Sequence, residues 1–425
     1  MGHQSKPKAE RGQPEGLRLA FVYPALIERG GAENALVDAL AALAARGHHI
    51  SLFTAAVDAE RYVLPPGVHL HLLGGRGFMT GLGGTLRYIA ALSRMLRGHD
   101  LAIPVNFPAH VWTLLGWHGV PSVWWCMEPK RNLYPQVMYA EAPGFMPHQY
   151  RTRADYRGLS SLLTLLLRDP HVLLPYGIRA ALQRLLDRAA VRRTAAILAI
   201  SPYVAGKIET VYRRPSTVIW TGVPLPPDGA MAGALAAEWL IVVPTRLEPI
   251  KNAGVVLESV ARCGAALDGW TVAIVGTGSE LEALQARCVG LGVVSRVAFT
   301  GFVSAADRDR LLQRCAFIVY PSLAEPFGLP VAEAAALGRT AIADRHGGPA
   351  DQIVDGETGL HVDMRDPDAL AAAMTALASD TARARRMGAA ARLRWARLFA
   401  LDRWADGFEA ALYAQLRPET PQAVR

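Results

Sequence analysis

The stretch AFIVYPSLAEPFGLPVAEAAALGRTAIAD, residues 316–344, contains one complete strand–helix–strand unit. It begins and ends with short apolar runs that are typical of strands buried on both faces. Between them, a loop containing Pro and Gly leads into LPVAEAAALG, whose apolar residues have helical spacing. Two strands connected through a helix in this way are predicted to lie parallel in one sheet.

The same alternation extends to both sides of this unit. A first series of strand-like and helix-like runs covers residues 17 to about 200, and a second opens with WLIVVPT at residue 239. Between the two series, residues 216–237 are rich in Pro, Gly and Ala. We therefore predict an α/β protein with two consecutive parallel-sheet domains that face a cleft. The predicted segments are a disordered tail (1–16), an N-terminal domain (17–220), a hinge (221–237), a C-terminal domain (238–395) and a final helix (396–425).

Composition and charge narrow the class of protein. The chain has 425 residues, of which 51% are hydrophobic and 19% charged, so the bulk of it is not disordered. The net charge of +8 is unevenly distributed: residues 1–200 hold 22 basic and 13 acidic side chains, whereas residues 201–425 hold 23 and 24. The basic excess therefore belongs to the N-terminal half.

Cysteine spacing and the N-terminal residues favour a cytoplasmic protein. The four cysteines, at positions 126, 263, 288 and 315, form neither a CxxC pair nor a dense disulfide framework. The first sixteen residues are polar and charged and lack the apolar core of a secretory signal. We expect reduced thiols and a cytoplasmic location.

Residues 101–127 raise the question of a membrane-spanning helix, because they contain no Asp, Glu, Lys or Arg. Pro104, Pro108, Gly119 and Pro121 interrupt the stretch. We predict a strand, a short helix and a second strand here instead of a spanning helix.

Two glutamates eight positions apart, Glu325 and Glu333, stand in the loop and in the helix of the opening unit. A helix that begins near Leu329 directs unpaired N–H groups and its positive dipole end toward the strand ends, where a phosphate could bind. Gly328 allows a close approach of the backbone. Glu325 would then lie beside a group attached to the phosphate, and Glu333 could accept hydrogen bonds from vicinal sugar hydroxyls. The alternative is a helix-entry loop with two solvated glutamates.

Two further patches are predicted to face the same cleft. Arg246 and Lys251 follow the first strand of the second series, and such cations could hold a diphosphate. Gly30 and Gly31 follow the first strand of the first series and open directly into a helix. Each patch alone also has a purely structural interpretation, as a helix start or as a packing turn.

Together, the three patches resemble the retaining GT-B glycosyltransferases of family 4. EPFGLPVAE, with its Glu-x7-Glu spacing, is the most specific signature, and TRLEPIKN, AIVGTGSELEAL and GGAENALVDALAALAARGHHISLFT match other blocks of the family in order and spacing. VNFPAHVWTLL and WWCMEPKRNLY are similar to the subgroup that often builds lipopolysaccharide and other glycoconjugates. Over residues 17–415 the resemblance implies two Rossmann-like domains and a C-terminal helix that crosses back to the first domain.

The resemblance also implies roles for individual residues. Arg246 and Lys251 would clamp the diphosphate of a nucleotide-sugar donor, Glu325 would bind hydroxyls of the donor sugar, and Glu333 would bind the ribose. The other implied donor-binding positions, in the glycine turns and around the nucleotide base and diphosphate, are Gly30, Gly31, Gly276, Gly278, Phe302, Val303, Phe327, Gly328 and Leu329. The implied acceptor or sugar pocket consists of Asn106, Met127, Glu128 and Arg131.

The activity implied is transfer of a hexose, mannose from GDP-mannose in this subgroup, to a glycan or lipid-linked acceptor with retention of configuration. Fixed cations and helix N–H groups stabilise a departing diphosphate without a metal ion, so we expect no metal and no cofactor besides the donor. One departure matters: Met127 stands where the subgroup usually has a histidine that touches the donor sugar. It leaves open a non-catalytic GT-B protein that only binds nucleotide sugars.

Two macromolecular partners are considered. Residues 151–193 contain nine Arg and three acidic residues beside the apolar run GLSSLLTLLL, which suits the anionic inner face of the plasma membrane. A solvated helix face is the alternative. Aromatic-interleaved basic strands and a recognition helix are both missing, so we expect no nucleic-acid partner.

Overall fold

The computed structural model describes residues 16–27, 30–73, 82–116, 118–146, 170–224 and 239–416. The predicted tail (except residue 16), most of the predicted hinge, residues 151–169 of the basic segment and residues 417–425 lie outside them.

The strands are β1 (Arg18–Val22), β2 (His49–Thr54), β3 (Val68–Leu72), β4 (Leu101–Pro104), β5 (Val123–Cys126), β6 (Ala196–Ala199), β7 (Thr217–Val218), β8 (Leu240–Pro244), β9 (Thr271–Val275), β10 (Val297–Gly301), β11 (Phe317–Tyr320), β12 (Thr340–Asp344) and β13 (Gly359–Val362). The α-helices are α1 (Gly31–Ala45), α2 (Leu82–Leu96), α3 (Ala109–Leu115), α4 (Pro135–Met138), α5 (Pro170–Arg193), α6 (Pro202–Tyr212), α7 (Ala253–Cys263), α8 (Leu281–Gly290), α9 (Ala305–Arg314), α10 (Leu329–Ala336), α11 (Gly348–Gln352), α12 (Pro367–Ser379), α13 (Thr381–Leu398) and α14 (Leu401–Leu416).

The N-terminal domain contains two parallel sheets that nearly merge. One has the order β3-β2-β1-β4 and the other β5-β6-β7. Isolated bridges join Ala102 to Ser122 and Val105 to Trp125 between β4 and β5. Every residue of β4 and β5 is buried, as expected for strands covered on both faces.

The charge-free stretch folds as the Pro and Gly interruptions predict. It forms β4, α3 and β5 in succession. In the described part of the chain, no helix has the length and apolar character needed to cross a membrane.

The C-terminal domain has one six-stranded parallel sheet with the order β10-β9-β8-β11-β12-β13. The chain runs outward from β8 through β9 to β10, and then returns to the other side of β8 to form β11. The sheet therefore has a topological switch point between β8 and β11, and ligands of open α/β sheets bind at the carboxyl ends of strands at such a point. The loop after β8 carries Lys251 and the loop after β11 carries Glu325.

The last helix returns to the N-terminal domain. In α14, the ring of Phe408 stacks on Phe21 of β1 at 6.3 Å, and Trp404 lies 5.5 Å from Trp125 of β5. The carboxylate of Glu409 pairs with Arg46 at 2.8 Å. These contacts place α14 in the core of the first domain.

Helix α14 begins at Leu401, not at residue 396, because the backbone turns away from α13 at Phe399. The carbonyl of Phe399 accepts a hydrogen bond from Val223 N at 2.8 Å, and Leu401 N donates to Val223 O at 3.1 Å. Both chain crossings between the domains therefore pass side by side, paired through Val223.

Candidate active site

The centre of the candidate site is an ion pair at the switch point. Lys251 ends a short turn after β8, and its Nζ lies 2.5 Å from Oε2 of Glu325. The hydroxyl of Ser322 donates to the same carboxylate at 2.7 Å. The two charged side chains are only 16% and 14% exposed, so solvent screens their attraction little.

The carboxyl of Glu325 is ionised at every physiological pH. Burial alone would raise its pKa, but the ammonium of Lys251, the hydroxyl of Ser322 and the charge of Arg131 outweigh burial and lower the pKa to about 2. Glu325 is thus a fixed negative charge and a pure hydrogen-bond acceptor.

The start of α10 lies directly beside this pair. Its N-cap is Gly328, with φ of 88°, and a Cβ there would lie 2.7 Å from a ring carbon of Pro349. Only glycine fits both the left-handed conformation and the space. The side chain of Gln352 donates to the carbonyl of Phe327, and Gly348 N donates to the carbonyl of Glu325 at 2.7 Å. The segment after β12 therefore fixes the loop through hydrogen bonds to its carbonyl groups, and we did not predict this contact from the sequence.

Glu333, one turn into α10, has different surroundings. Its Oε1 lies 3.2 Å from Nη1 of Arg308, whose guanidinium also donates to Asp309 at 3.1 Å. Burial raises the pKa of Glu333, Arg308 offsets part of the rise, and the charges of Asp309 and Asp38 add to it. Asp38 belongs to α1 of the N-terminal domain, so this group also includes a residue from across the cleft.

The glycine turn of the N-terminal domain reaches the start of α10. Gly30 is the N-cap of α1. A Cβ on Gly31 would lie 2.9 Å from Cδ1 of Leu329. The structure therefore brings the Gly30–Gly31 turn and the first residue of α10 together, as both were predicted to face the cleft.

The pocket residues predicted on the N-terminal domain follow β4 and β5. Arg131 donates from Nη2 to the carbonyl of Ala324 at 2.6 Å, and the same nitrogen lies 2.6 Å from Glu128. Met127 is 6% exposed, and its N–H donates to Oδ1 of Asn106 at 3.0 Å. Burial raises the pKa of Glu128, while Arg131 lowers it. Arg131 and Glu128 thus join the ion-pair group of Glu325, and Asn106 supports the backbone beside them.

The glycines predicted near the base are positions of close backbone packing. A Cβ on Gly276 would lie 2.0 Å from the carbonyl oxygen of Thr245, and one on Gly278 would lie 2.3 Å from that of Leu247. Gly276 N also donates to the carbonyl of Gly301 at 3.0 Å. The loops after β8, β9 and β10 therefore contact one another at the carboxyl ends of these strands.

The remaining predicted residues differ in exposure. Arg246 is exposed in the loop after β8, and none of the ion pairs between described residues includes it. Phe302 is 63% exposed, whereas Val303 is partly buried. Phe327 is 3% exposed and lies 6.0 Å from Phe399, so its side chain supports the loop from the core.

Sequence reasoning missed Arg308, Ser322 and Gln352 as members of the site. Arg308 lies in helix α9, and its contact with Glu333 of α10 depends on tertiary structure. Within the described ranges, no group of three or more His, Cys, Asp or Glu side chains is arranged to hold a metal ion. The arrangement offers cations, a helix start and two carboxylates at one switch point, which suits a phosphorylated sugar-like ligand.

Comparison with known proteins agrees with this chemistry. Residues 233–394 match the family described as glycosyl transferases group 1. Among solved structures, the HepE protein of Anabaena in complex with UDP and glucose has a TM-score of 0.70 at 17% identity, with 94% of this chain and all of that chain covered. Sucrose-phosphate synthase from Thermosynechococcus elongatus gives a TM-score of 0.70 at 20% identity, covering 94% and 99%. These similarities show the two-domain GT-B fold.

Curated relatives match over part of the chain. A GDP-mannose-dependent alpha-(1-6)-phosphatidylinositol monomannoside mannosyltransferase of Mycolicibacterium smegmatis is 32% identical over 194 residues, which is 43% of this chain and 50% of the relative. A glycogen synthase of Mycobacterium tuberculosis is 33% identical over 149 residues, 35% of this chain and 36% of the relative. The chain thus spans half or less of the length of these relatives.

Proposed function

We propose that this chain, whose residues 233–394 belong to the glycosyl transferases group 1 family, is a retaining hexosyltransferase that uses a nucleotide-sugar donor. The observation that carries the proposal is the Lys251–Glu325 pair at 2.5 Å, beside the N-terminus of α10 at the switch point. A cation, the backbone N–H groups of Gly328 and Leu329 and an ionised carboxylate can together hold a sugar diphosphate by both its charged and its hydroxylated parts.

The chemistry follows from where charge develops. Departure of the nucleoside diphosphate places negative charge on its terminal phosphate. Lys251, Arg246 and the amides at the start of α10 stabilise that charge from fixed positions, so no metal ion is needed. Glu325 accepts hydrogen bonds from donor-sugar hydroxyls, and Glu333 accepts them from the ribose. In the family that the sequence resembles, the acceptor attacks from the face that the diphosphate leaves, and the leaving phosphate takes the proton.

Mannose is the proposed sugar and a glycan or lipid-linked molecule the proposed acceptor. The support is the subgroup resemblance together with the mannosyltransferase relative. A thermal-shift screen of UDP, GDP and ADP sugars identifies the donor, because a ligand that binds the folded state raises its unfolding temperature. The largest shift with GDP-mannose supports mannose, and a larger shift with UDP-glucose overturns it.

Donor turnover tests the activity itself. We expect purified protein to hydrolyse or transfer from its donor, and Glu325→Ala to lose at least 100-fold in turnover. Absence of turnover from every nucleotide sugar, with tight binding retained, would favour the alternative that the protein only binds such ligands.

The alternative, a protein that only binds nucleotide sugars, rests on Met127. Its side chain is buried at the position of the usual histidine, so a neutral thioether replaces a hydrogen-bonding group there. Met127→His is expected to raise turnover in a protein that has lost activity. In a working enzyme it shifts the preference among donor sugars instead.

A membrane surface is the proposed site of action. In the described part of α5, Arg188 and Arg192 are exposed beside Leu185, which is 65% exposed. Cations next to an apolar side chain suit an anionic bilayer. Co-flotation with anionic vesicles at low salt, weakened in Arg188→Glu/Arg192→Glu, is the expected result; no co-flotation overturns this part.

A further inference from the structure

The residue immediately before Glu325 has a strained backbone. Ala324 has a φ of 49°, in the left-handed region that side chains with a Cβ rarely adopt. It is 1% exposed and packs in the core of the C-terminal domain. A non-glycine residue keeps such a conformation only where its surroundings hold it there.

Hydrogen bonds from both domains hold this turn, and two of them lie on the residues just before Glu325. Leu323 N donates to the carbonyl of Ile250 at 3.0 Å, which ties the turn to the segment that ends in Lys251. Arg131, in the N-terminal domain, donates to the carbonyl of Ala324 itself at 2.6 Å. The bond from Arg131 is therefore the contact made directly on the strained residue.

Arg131 is itself rigidly placed. Glu128 pairs with its Nη2 at 2.6 Å, and its guanidinium lies 5.4 Å from the ring centre of Tyr139. An arginine held on one side by a carboxylate and on another by an aromatic ring gives its remaining hydrogen bonds a fixed direction.

We propose that Arg131 is a positioning residue for Glu325. By fixing the carbonyl of Ala324 it maintains the left-handed turn, and the turn directs the Glu325 carboxylate to Lys251 and to the donor sugar. The role rests on the proposed function for its kinetic consequence, but the structural link from Arg131 through Ala324 to Glu325 does not.

A consequence is that the donor site is completed by the other domain. Lys251, Ser322 and Glu325 all belong to the C-terminal domain, whereas Arg131, which binds the carbonyl of Ala324, belongs to the N-terminal domain. Separation of the domains breaks the Arg131 bond and lets the turn relax, so donor contact by Glu325 requires the closed arrangement.

Arg131→Met is the first variant. We expect its kcat for donor turnover to fall about 100-fold with a change of less than threefold in KM, because small misplacement of a contact group costs the transition state more than the ground state. Adding Ala324→Gly is expected to restore roughly tenfold of the loss, since glycine adopts the left-handed turn without help. Ala324→Gly acts on the backbone only, so restored charge cannot explain the rescue. Ala324→Gly alone is expected to stay within twofold of wild type.

Amide hydrogen exchange gives a second measurement that needs no activity. The segment 321–328 is expected to exchange faster in Arg131→Met and to return toward the wild-type rate in Arg131→Met/Ala324→Gly. Arg365→Met, which removes another arginine that donates from one domain to a backbone carbonyl of the other, that of Glu141 at 3.4 Å, serves as the matched control and is expected to leave this segment near the wild-type rate.

The outcomes separate the two proposals. Unchanged exchange in Arg131→Met, or a rate that Ala324→Gly fails to restore, overturns the positioning role whatever the activity. Restored exchange in a protein that turns over no nucleotide sugar supports positioning and overturns the proposed function. Arg131→Lys, which keeps the charge but lacks the planar fork, replaces Arg131→Met if the latter does not fold, with the same rescue expected.

Discussion

Glu325 and Glu333 lie eight residues apart in one loop and helix, yet their surroundings have opposite electrostatic effects. Lys251 and Ser322 contact the carboxylate of Glu325 at 2.5 and 2.7 Å, and its pKa falls to about 2. Glu333 has Arg308 at 3.2 Å, but two further acidic residues lie near, and burial raises its pKa.

The comparison teaches that burial alone does not decide the charge of a site residue. Both carboxylates are largely buried, 14% and 21% exposed. The cations of Lys251 and Arg131 and the hydroxyl of Ser322 together overcome the desolvation of Glu325, whereas Arg308 is shared between Glu333 and Asp309. One motif therefore presents a permanent charge next to a carboxyl that gains or loses its proton more readily.

Removal of Lys251 should have the largest effect on activity, because Lys251 is the cation that distinguishes the surroundings of Glu325 from those of Glu333. Lys251→Met leaves Glu325 without its main counter-charge and removes a cation from the diphosphate site. We expect kcat for donor turnover to fall about 100- to 1000-fold. Lys207→Met is the matched control, because it removes another buried lysine, paired with Glu141 at 2.6 Å, and should lose less than tenfold.

The pH dependence of the free energy of unfolding should also distinguish the two glutamates. Because the folded-state pKa of Glu325 lies below its usual 4.5, its carboxylate stabilises the fold above pH 4.5, and the stabilisation disappears as pH falls from 4.5 through about 2. Glu325→Gln should therefore lower the free energy of unfolding at pH 7 by about 3 kcal/mol, with a smaller difference toward acid. Urea unfolding of both proteins between pH 3 and pH 7, at intervals of about one pH unit, measures this difference. A difference that does not change with pH contradicts the prediction.

Removal of Arg308 should have a smaller effect, on the affinity for a nucleoside diphosphate. Arg308→Met removes a cation that lowers the pKa of Glu333, so that pKa rises further and the carboxyl becomes a poorer acceptor for ribose hydroxyls. We expect Kd for a nucleoside diphosphate to rise about tenfold by calorimetry, most at acidic pH. Arg310→Met, on the same helix but 71% exposed, is the control and should not change Kd.

Neutralising Glu333 should have the smallest effect on stability, and the opposite sign from Glu325. Since burial raises the folded-state pKa of Glu333, its ionised form costs stability as pH rises above 4.5. Glu333→Gln should leave the free energy of unfolding at pH 7 unchanged or raise it by up to about 1 kcal/mol. If Glu333→Gln lowered the free energy of unfolding as much as Glu325→Gln does, the prediction that the two carboxylates have opposite effects on stability would be wrong.

The sequence was sufficient for the alternation of strands and helices and for the meeting of the loops after β8 and β11. Apolar runs and interrupting Pro and Gly predicted the two α/β domains, including the strand–helix–strand path of residues 101–127. Loops after parallel strands converge at one sheet edge, so the neighbourhood of Lys251 and Glu325 followed from their positions after β8 and β11.

Contacts between distant residues were not predictable in the same way. Arg131 and Ala324 are 193 positions apart, and nothing local to either indicates a hydrogen bond between them. The break in the final helical stretch at Phe399 has the same origin, because it depends on pairing with Val223. Local patterns report which face of an element is buried, but not what it is buried against.

The paired crossings at Val223 and Ala400 have a consequence for recombination between related proteins. The chain leaves the first domain, forms the whole second sheet and comes back to complete the first domain's core with Phe408 and Trp404. In topology the second domain is an insertion with two junctions at one place. A chimera that exchanges it as a cassette must cut at both junctions and keep α14 with the first domain, whereas a single crossover would separate α14 from the core it was selected to fill.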